Sequence, residues 1–150
     1  MIDEVEAKRY DPPALIRASD LLADTAQTGG MIRKVAVDSR TPGVTKIWGG
    51  TTENEPGFLS AVHMHPSTET VGFVLKGKAR IYWGSDEDPM DMSNHVDMDE
   101  GDFIFVPADI PHAEANRSQS EWLHLLTFRS EDNLVVNLED VPRESLRVFE

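Results

Sequence analysis

The chain has 150 residues and carries 14 Lys and Arg against 27 Asp and Glu, a formal net charge of -13. That length suits one domain with a buried core, and that charge repels polyphosphate backbones and anionic membrane surfaces, so neither nucleic acid nor a membrane is an expected partner. Cysteine is absent, which removes disulfides, thiolate metal ligands and cysteine nucleophiles and leaves nitrogen and oxygen to hold any metal.

Residues 1–30 read as an N-terminal arm with a short helix. "MIDEVEAKRY" is polar and acidic and lacks the basic-then-apolar layout of a secretory signal, so a cytoplasmic protein is expected. "DPPALIRASDLLAD" offers Asp11 as a helix cap and prolines suited to a first turn. From Met31 the signals change. "MIRKVAV", "TKIWGG", "GFLSAVHMH", "ETVGFVL", "KARIYW", "HVDMDE", "DFIFVP", "HAEAN", "WLHLLTF" and "LVVNL" are short β-type runs separated by Gly, Pro, Asn and Asp. No second helical pattern interrupts them, so residues 31–138 are expected to form an all-β sandwich or barrel. The acidic stretch "SDEDPMDMSN" reads as a loop, exposed or draped as a lid, and residues 139–150 as a tail that packs on the barrel or crosses to a neighbouring subunit.

The stretch "HMHPSTE" concentrates metal-ligand chemistry. Alternate residues of a strand point to one side, about 6.6 Å apart, so His63 and His65 present both imidazoles to one face. Glu69 shares their parity, and a turn at Pro66 returning the chain antiparallel would bring its carboxylate to the same point. Two imidazoles and a carboxylate suit a divalent first-row ion. An HxH pair alone is weak, and a second histidine-bearing stretch, "GDFIFVPADIPHAEAN", supplies corroboration.

Together the two stretches resemble the two sequence motifs of the cupin family. "GFLSAVHMHPSTETVGFVLKG" is similar to the first, with Gly57, the HxH pair, a glutamate and a closing Gly77; the second matches at Gly101, Pro107, His112 and Asn116. The resemblance implies a double-stranded β-helix, or jelly-roll, barrel. It also implies His63, His65, Glu69 and His112 as ligands of one metal ion per chain.

Two departures stand out. Asp109 occupies a position where the second motif has glycine, a substitution that turn conformations tolerate. Seven residues separate Glu69 from Gly77 where the motif has six, so counting back from Gly77 puts Thr70 in the glutamate position. A one-residue slip reverses every side chain of a strand. Glu69 with a local bulge is the preferred reading, and an inward Thr70 with a three-histidine site is the alternative.

Further candidates follow from parity. His124 shares a face with Trp122, Leu126 and Phe128, which suits a core histidine first and an acid-base role near the metal second. Lys78, Arg80 and Tyr82 alternate with Ala79, Ile81 and Trp83; inward, Arg80 would anchor a substrate carboxylate and Tyr82 a hydroxyl, while the plainer reading is an outer face. Phe73 and Leu75, with the parity of Glu69, would line an apolar pocket wall. His95 reads as exposed, and Asn116 as a turn-holding residue.

Three histidines and one glutamate leave two open positions on an octahedral ion, which favours iron or manganese, with nickel and zinc next. The expected function is a small metalloenzyme, a dioxygenase or an isomerase or lyase, acting on a small oxygenated organic molecule. The rival is a metal or small-molecule binding or sensing module without turnover. The resemblance also implies a homodimer.

Overall fold

The computed structural model describes residues 12–25, 28–132 and 134–140. Ten strands lie among them: β1 (Met31–Val37), β2 (Trp48–Asn54), β3 (Val62–Met64), β4 (Thr70–Lys76), β5 (Ala79–Trp83), β6 (Asn94–Met98), β7 (Phe103–Val106), β8 (His112–Asn116), β9 (Leu123–Arg129) and β10 (Val136–Glu139). Each corresponds to one of the β-type runs of the sequence. They form two five-stranded sheets, β1-β2-β9-β4-β7 and β10-β3-β8-β5-β6. Every ladder is antiparallel. This is the all-β double-stranded β-helix.

The space between the sheets is apolar at one end and polar at the other. Val74, Ala79, Ile81, Met98, Leu123 and Leu125 form a continuous buried cluster. Complete burial of residues such as Val74 and Leu123 contributes ~1.5–3 kcal/mol each. Moving along β4 and β9 away from the Val74–Leu125 pair leads to the Thr70–Arg129 pair, and there the inward side chains become polar. The apolar end holds the sheets together and the polar end supplies chemistry.

The two outer faces differ. On the second sheet, Met90 and Met92 pack with Val62, Tyr82, Ala113 and Ala115. The acidic loop is therefore anchored by its methionines on the outside of the sheet, while residues 86–89, Asp91 and Ser93 stay exposed. Asp91 holds it in shape by accepting from the backbone N–H groups of Ser85 and Ser93. On the first sheet, the registers Phe105–Val71–Phe128 and Phe103–Phe73–Leu126 lay two apolar rows across β7, β4 and β9. Phe103 and Phe105 are 70% and 57% exposed, so this face is bare among the described residues.

The expected helix before β1 does not form. Residues 12–25 hold one 3-10 turn, Ala18–Asp20. Leu22 instead exchanges two backbone hydrogen bonds with Val35 at the sheet edge. Leu15 and Leu22 are largely exposed, so a helix here would have no apolar face to bury, and short helices are not stable without one. The first eleven residues of the arm and the tail beyond Asp140 lie outside the described residues.

The turn chemistry agrees with the motif positions. Gly57, Gly77 and Gly101 all have positive φ, as does Asp109 at 64°. Asp109 offsets that strain with a contact glycine lacks, its Oδ1 accepting from the Ser67 N–H at 2.9 Å, while its backbone N–H donates to the His65 carbonyl. It thereby ties the turn before β8 to the turn that follows the HxH pair. Asn116, fully buried, donates to the carbonyls of Asn54, Glu55 and Glu121 and accepts from the Ser118 N–H.

Candidate metal centre

The direction of β4 decides the composition of the site. Thr70, Gly72 and Val74 turn inward, with Thr70 and Gly72 lining the barrel cavity. Glu69 is exposed at the start of the strand, where its backbone exchanges hydrogen bonds with Ser130. No bulge separates the turn from the strand: Thr70 through Phe73 pair in continuous register with both β7 and β9. The irregularity of this ladder falls later, between Val74 and Lys76, and the extra residue is absorbed in the turn after His65. The expected inward glutamate is thus replaced by threonine. The same reversal puts Phe73 outside, stacked on Phe103 with ring centroids 4.6 Å apart, and leaves Leu75 exposed.

His63, His65 and His112 do converge. His63 and His112 are direct cross-strand partners in the single pairing between β3 and β8, and His65 follows immediately after β3. All three are buried, and a ring nitrogen from each lies within 4.8 Å of the others. Their tautomers are fixed by the backbone. Nδ1 of His63, His65 and His112 lies 2.9 Å from the carbonyls of Ala61, Leu134 and Ile110 respectively. A carbonyl only accepts, so each Nδ1 carries the proton and each Nε2 keeps its lone pair. Burial holds the rings neutral. It lowers the pKa of His65 to about 3, assisted by the Arg129 charge, and that of His112 to about 3, assisted by His63. His63 is lowered by burial too, against the opposing field of Glu114. Three neutral imidazoles oriented through Nδ1–H bonds to carbonyls are a donor set that could hold a divalent ion. No carboxylate joins the cluster among the described residues.

Sequence reasoning missed the charged residues that share this space. Arg33, Glu114 and Arg129 line the cavity with the histidines. Arg129 is 7% exposed, its guanidinium stacked 5.0 Å from the centroid of the buried Trp48 ring and its Nη2 3.4 Å from His65 Nε2. Burial, and next the nearby Arg33, lower its pKa to about 10, which leaves it charged at neutral pH. Glu114 opposes these charges, its field acting on Arg33, His63 and Arg129. A signal existed for Glu114: it stands two residues after His112 in a strand and so shares its face.

The other candidates lie elsewhere. On β5, Ala79 and Ile81 face the cavity. Arg80 and Tyr82 therefore face out, Arg80 paired with Asp97 and touching the Tyr82 hydroxyl, and Tyr82 packed under the methionine loop. His124 is half-exposed on the outside of the first sheet, 3.6 Å from Glu53, because Leu123, Leu125 and Thr127 take the inward positions of β9. His95 is exposed at the edge strand, its ring against Tyr82. The cavity itself is small, about 40 Å³, space for roughly three waters. A wider apolar recess beside it shares His112, Ile81 and Val106 and is walled by Trp83 and Ile110.

Comparison with known proteins agrees with this geometry. The family model described as Cupin matches residues 28–149. No curated protein matches the chain. Among solved structures, oxalate decarboxylase from Bacillus subtilis at pH 4.6 superposes with a TM-score of 0.63 and 24% identity, covering 75% of this chain and 28% of that one. The same enzyme, in work on its Mn(II) centres, gives a TM-score of 0.62 at 24% identity, with 75% and 29% covered. An uncharacterized conserved protein with a double-stranded beta-helix domain from Klebsiella pneumoniae gives 0.59 at 17% identity, covering 77% of this chain and 90% of that one. The chain spans less than a third of the decarboxylase, and at these identities the likeness is one of fold.

Proposed function

The chain belongs to the cupin family, and from that premise we propose that it is a small metal-dependent enzyme that holds one divalent ion on His63, His65 and His112 and acts on a small oxygenated organic molecule. The observation that carries the reading is the shared tautomer: each Nδ1–H is spent on a backbone carbonyl, so three neutral Nε2 lone pairs meet inside the barrel. One cation placed among the rings would take all three lone pairs, that of His65 in competition with Arg129 Nη2, which lies 3.4 Å from it. The Mn(II) centres of the similarly folded oxalate decarboxylase support a metal in such a barrel. A set of imidazoles without a carboxylate suits zinc, nickel or iron(II) better than manganese, whose preference is for oxygen.

When bound, the ion would polarise a substrate oxygen while keeping coordination positions open beside the three imidazoles. Glu114 is the residue we assign to proton transfer, as the one carboxylate lining the cavity among the described residues. A second reading, a binding or sensing module without turnover, is favoured by the outward positions of Tyr82, His124 and Glu69, which leave Glu114 as the sole carboxylate or phenol at hand among the described residues. The test is elemental analysis of protein purified without added metal, then anaerobic reconstitution and a turnover panel of diketones, catechols and hydroxy acids. Turnover lost in Glu114→Gln with metal content retained supports the enzyme. Metal held tightly with no turnover across the panel supports the binding module, and no metal at any stoichiometry sinks both.

We assign the homodimer contact to the outer face of the first sheet. What supports it is the pair of apolar rows across β7, β4 and β9, against the second sheet, whose outer face is already covered by the methionine loop. A two-fold contact needs a surface complementary to itself, and an apolar face meets that requirement.

A further inference from the structure

We propose that Arg129 and Thr70 form the binding site of a small carboxylate inside the barrel, next to the three-histidine position. The anchor stands on these two residues alone; the coupling between carboxylate and metal rests on the metal reading above.

The charge of the interior is opposite to that of the chain. The protein carries a net charge of -13, yet the charged residues lining its cavity are Arg33 and Arg129 against the single Glu114. With the imidazoles neutral, the cavity holds an excess of positive charge. Burying a cation is unfavourable unless an anion accompanies it, and a divalent ion on the histidines would add two more positive charges to the same space. A monoanion reaching both the ion and Arg129 offsets that accumulation.

The donors for such an anion are already in position. Nε and Nη1 of Arg129 are buried and have no hydrogen-bond partner among the described residues, and the same holds for Oγ1 of Thr70. The two residues are direct partners across the β4–β9 ladder, so both project from neighbouring strands into one end of the cavity. The Trp48 ring lies against the guanidinium, its centroid 5.0 Å from the guanidinium carbon. A planar guanidinium offers a carboxylate two edges, Nε with Nη2 or Nη1 with Nη2. Each contains one of the free donors and the second N–H of Nη2, whose first points to His65, and a threonine hydroxyl adds a further donor. The cavity volume of about 40 Å³ limits the anion there to a one- or two-carbon acid, and formate is the probe of choice.

Reciprocal linkage makes the idea measurable without any assay of turnover. Zn(II) is titrated by calorimetry into the chelator-stripped full chain, with and without formate, in the wild type and in Arg129→Met, Arg129→Lys and Thr70→Val. The expected wild-type result is zinc binding tightened by roughly tenfold in formate. Arg129→Met should bind zinc more tightly than the wild type when formate is absent, because a like charge is gone, and should respond to formate by less than about twofold. Arg129→Lys and Thr70→Val should fold and show intermediate coupling. Substituting Co(II) gives a second readout, a formate-induced change in its visible absorption that Arg129→Met lacks.

An equal formate effect in wild type and Arg129→Met, or none in the wild type, overturns the proposal. So does chloride reproducing the effect, which would make the site a general anion pocket. Failure of zinc to bind at all counts against the metal reading only; the inference is then judged by the melting temperature of the metal-free protein, which formate should raise in the wild type, raise less in Arg129→Lys and leave unchanged in Arg129→Met. No rise in the wild type overturns it.

Discussion

Thr70 stands directly across the β4–β9 ladder from Arg129, and both side chains turn into the barrel. This pairing puts a cation where a glutamate was expected to complete a metal site, and it makes the site a set of neutral imidazoles bordered by a guanidinium.

The ligand assignment therefore separates adjacent residues. After reconstitution with zinc and desalting, Glu69→Gln should retain wild-type metal content, and so should His95→Ala. His112→Ala should lose most of it. At metal concentrations about a hundredfold above Kd the wild type gains about 2.7 kcal/mol from binding, so its melting temperature should rise with metal while that of His112→Ala stays flat. Glu69→Gln losing metal to the same degree as His112→Ala would restore the carboxylate to the site.

The metal-free protein should lose stability on mild acidification. The folded pKa values of His65 and His112 are lowered to about 3, and that of His63 is lowered as well. The unfolded chain has ordinary histidines near about 6.5. Between those values the unfolded state binds protons that the folded state does not, so stability is full above pH about 6.5 and declines as pH falls toward 3. Urea midpoints measured across this range should drop, and His112→Gln should drop less steeply. A wild-type midpoint flat from pH 7 to 4 would mean that the imidazoles are not held neutral by burial.

Asn116 should matter for stability and not for metal. The two N–H groups of its amide are shared among three carbonyls and its Oδ1 accepts from the Ser118 N–H, all in a fully buried setting. Removing the side chain leaves several buried backbone groups without partners, so Asn116→Ala should cost about 3 kcal/mol in denaturant unfolding. Zinc affinity of the fraction that remains folded should be unchanged.

The bare apolar face predicts an oligomeric state. Sedimentation equilibrium should give a dimer for the wild type and a monomer for Phe105→Glu, because a charge buried among Val71, Phe103 and Phe128 would lack a partner. A Phe105→Glu protein that still sediments as a dimer would move the contact elsewhere.

Alternation and turn residues were enough to read ten strands and an all-β sandwich or barrel, and to put His63 and His65 on one face; His112 joined them through the resemblance to the cupin motifs. The motif glycines kept their structural roles because backbone chirality leaves few residues able to turn the chain there, and Asn116 kept its role through its buried side-chain hydrogen bonds. What the sequence could not decide was which parity of β4 faces inward. Val71, Phe73 and Leu75 on one side are as apolar as Gly72 and Val74 on the other, so hydrophobic alternation carries no preference when the outer face is also apolar. Only the ladders on both flanks, pairing Thr70 with Val106 and with Arg129, set the direction. That choice moved Glu69 and Phe73 out of the cavity, and the corresponding register of β9 and β5 did the same for His124, Arg80 and Tyr82. Arg33 and Arg129 reach the histidines from strands far apart in the chain, a juxtaposition that comes from long-range pairing and has no local trace in the sequence.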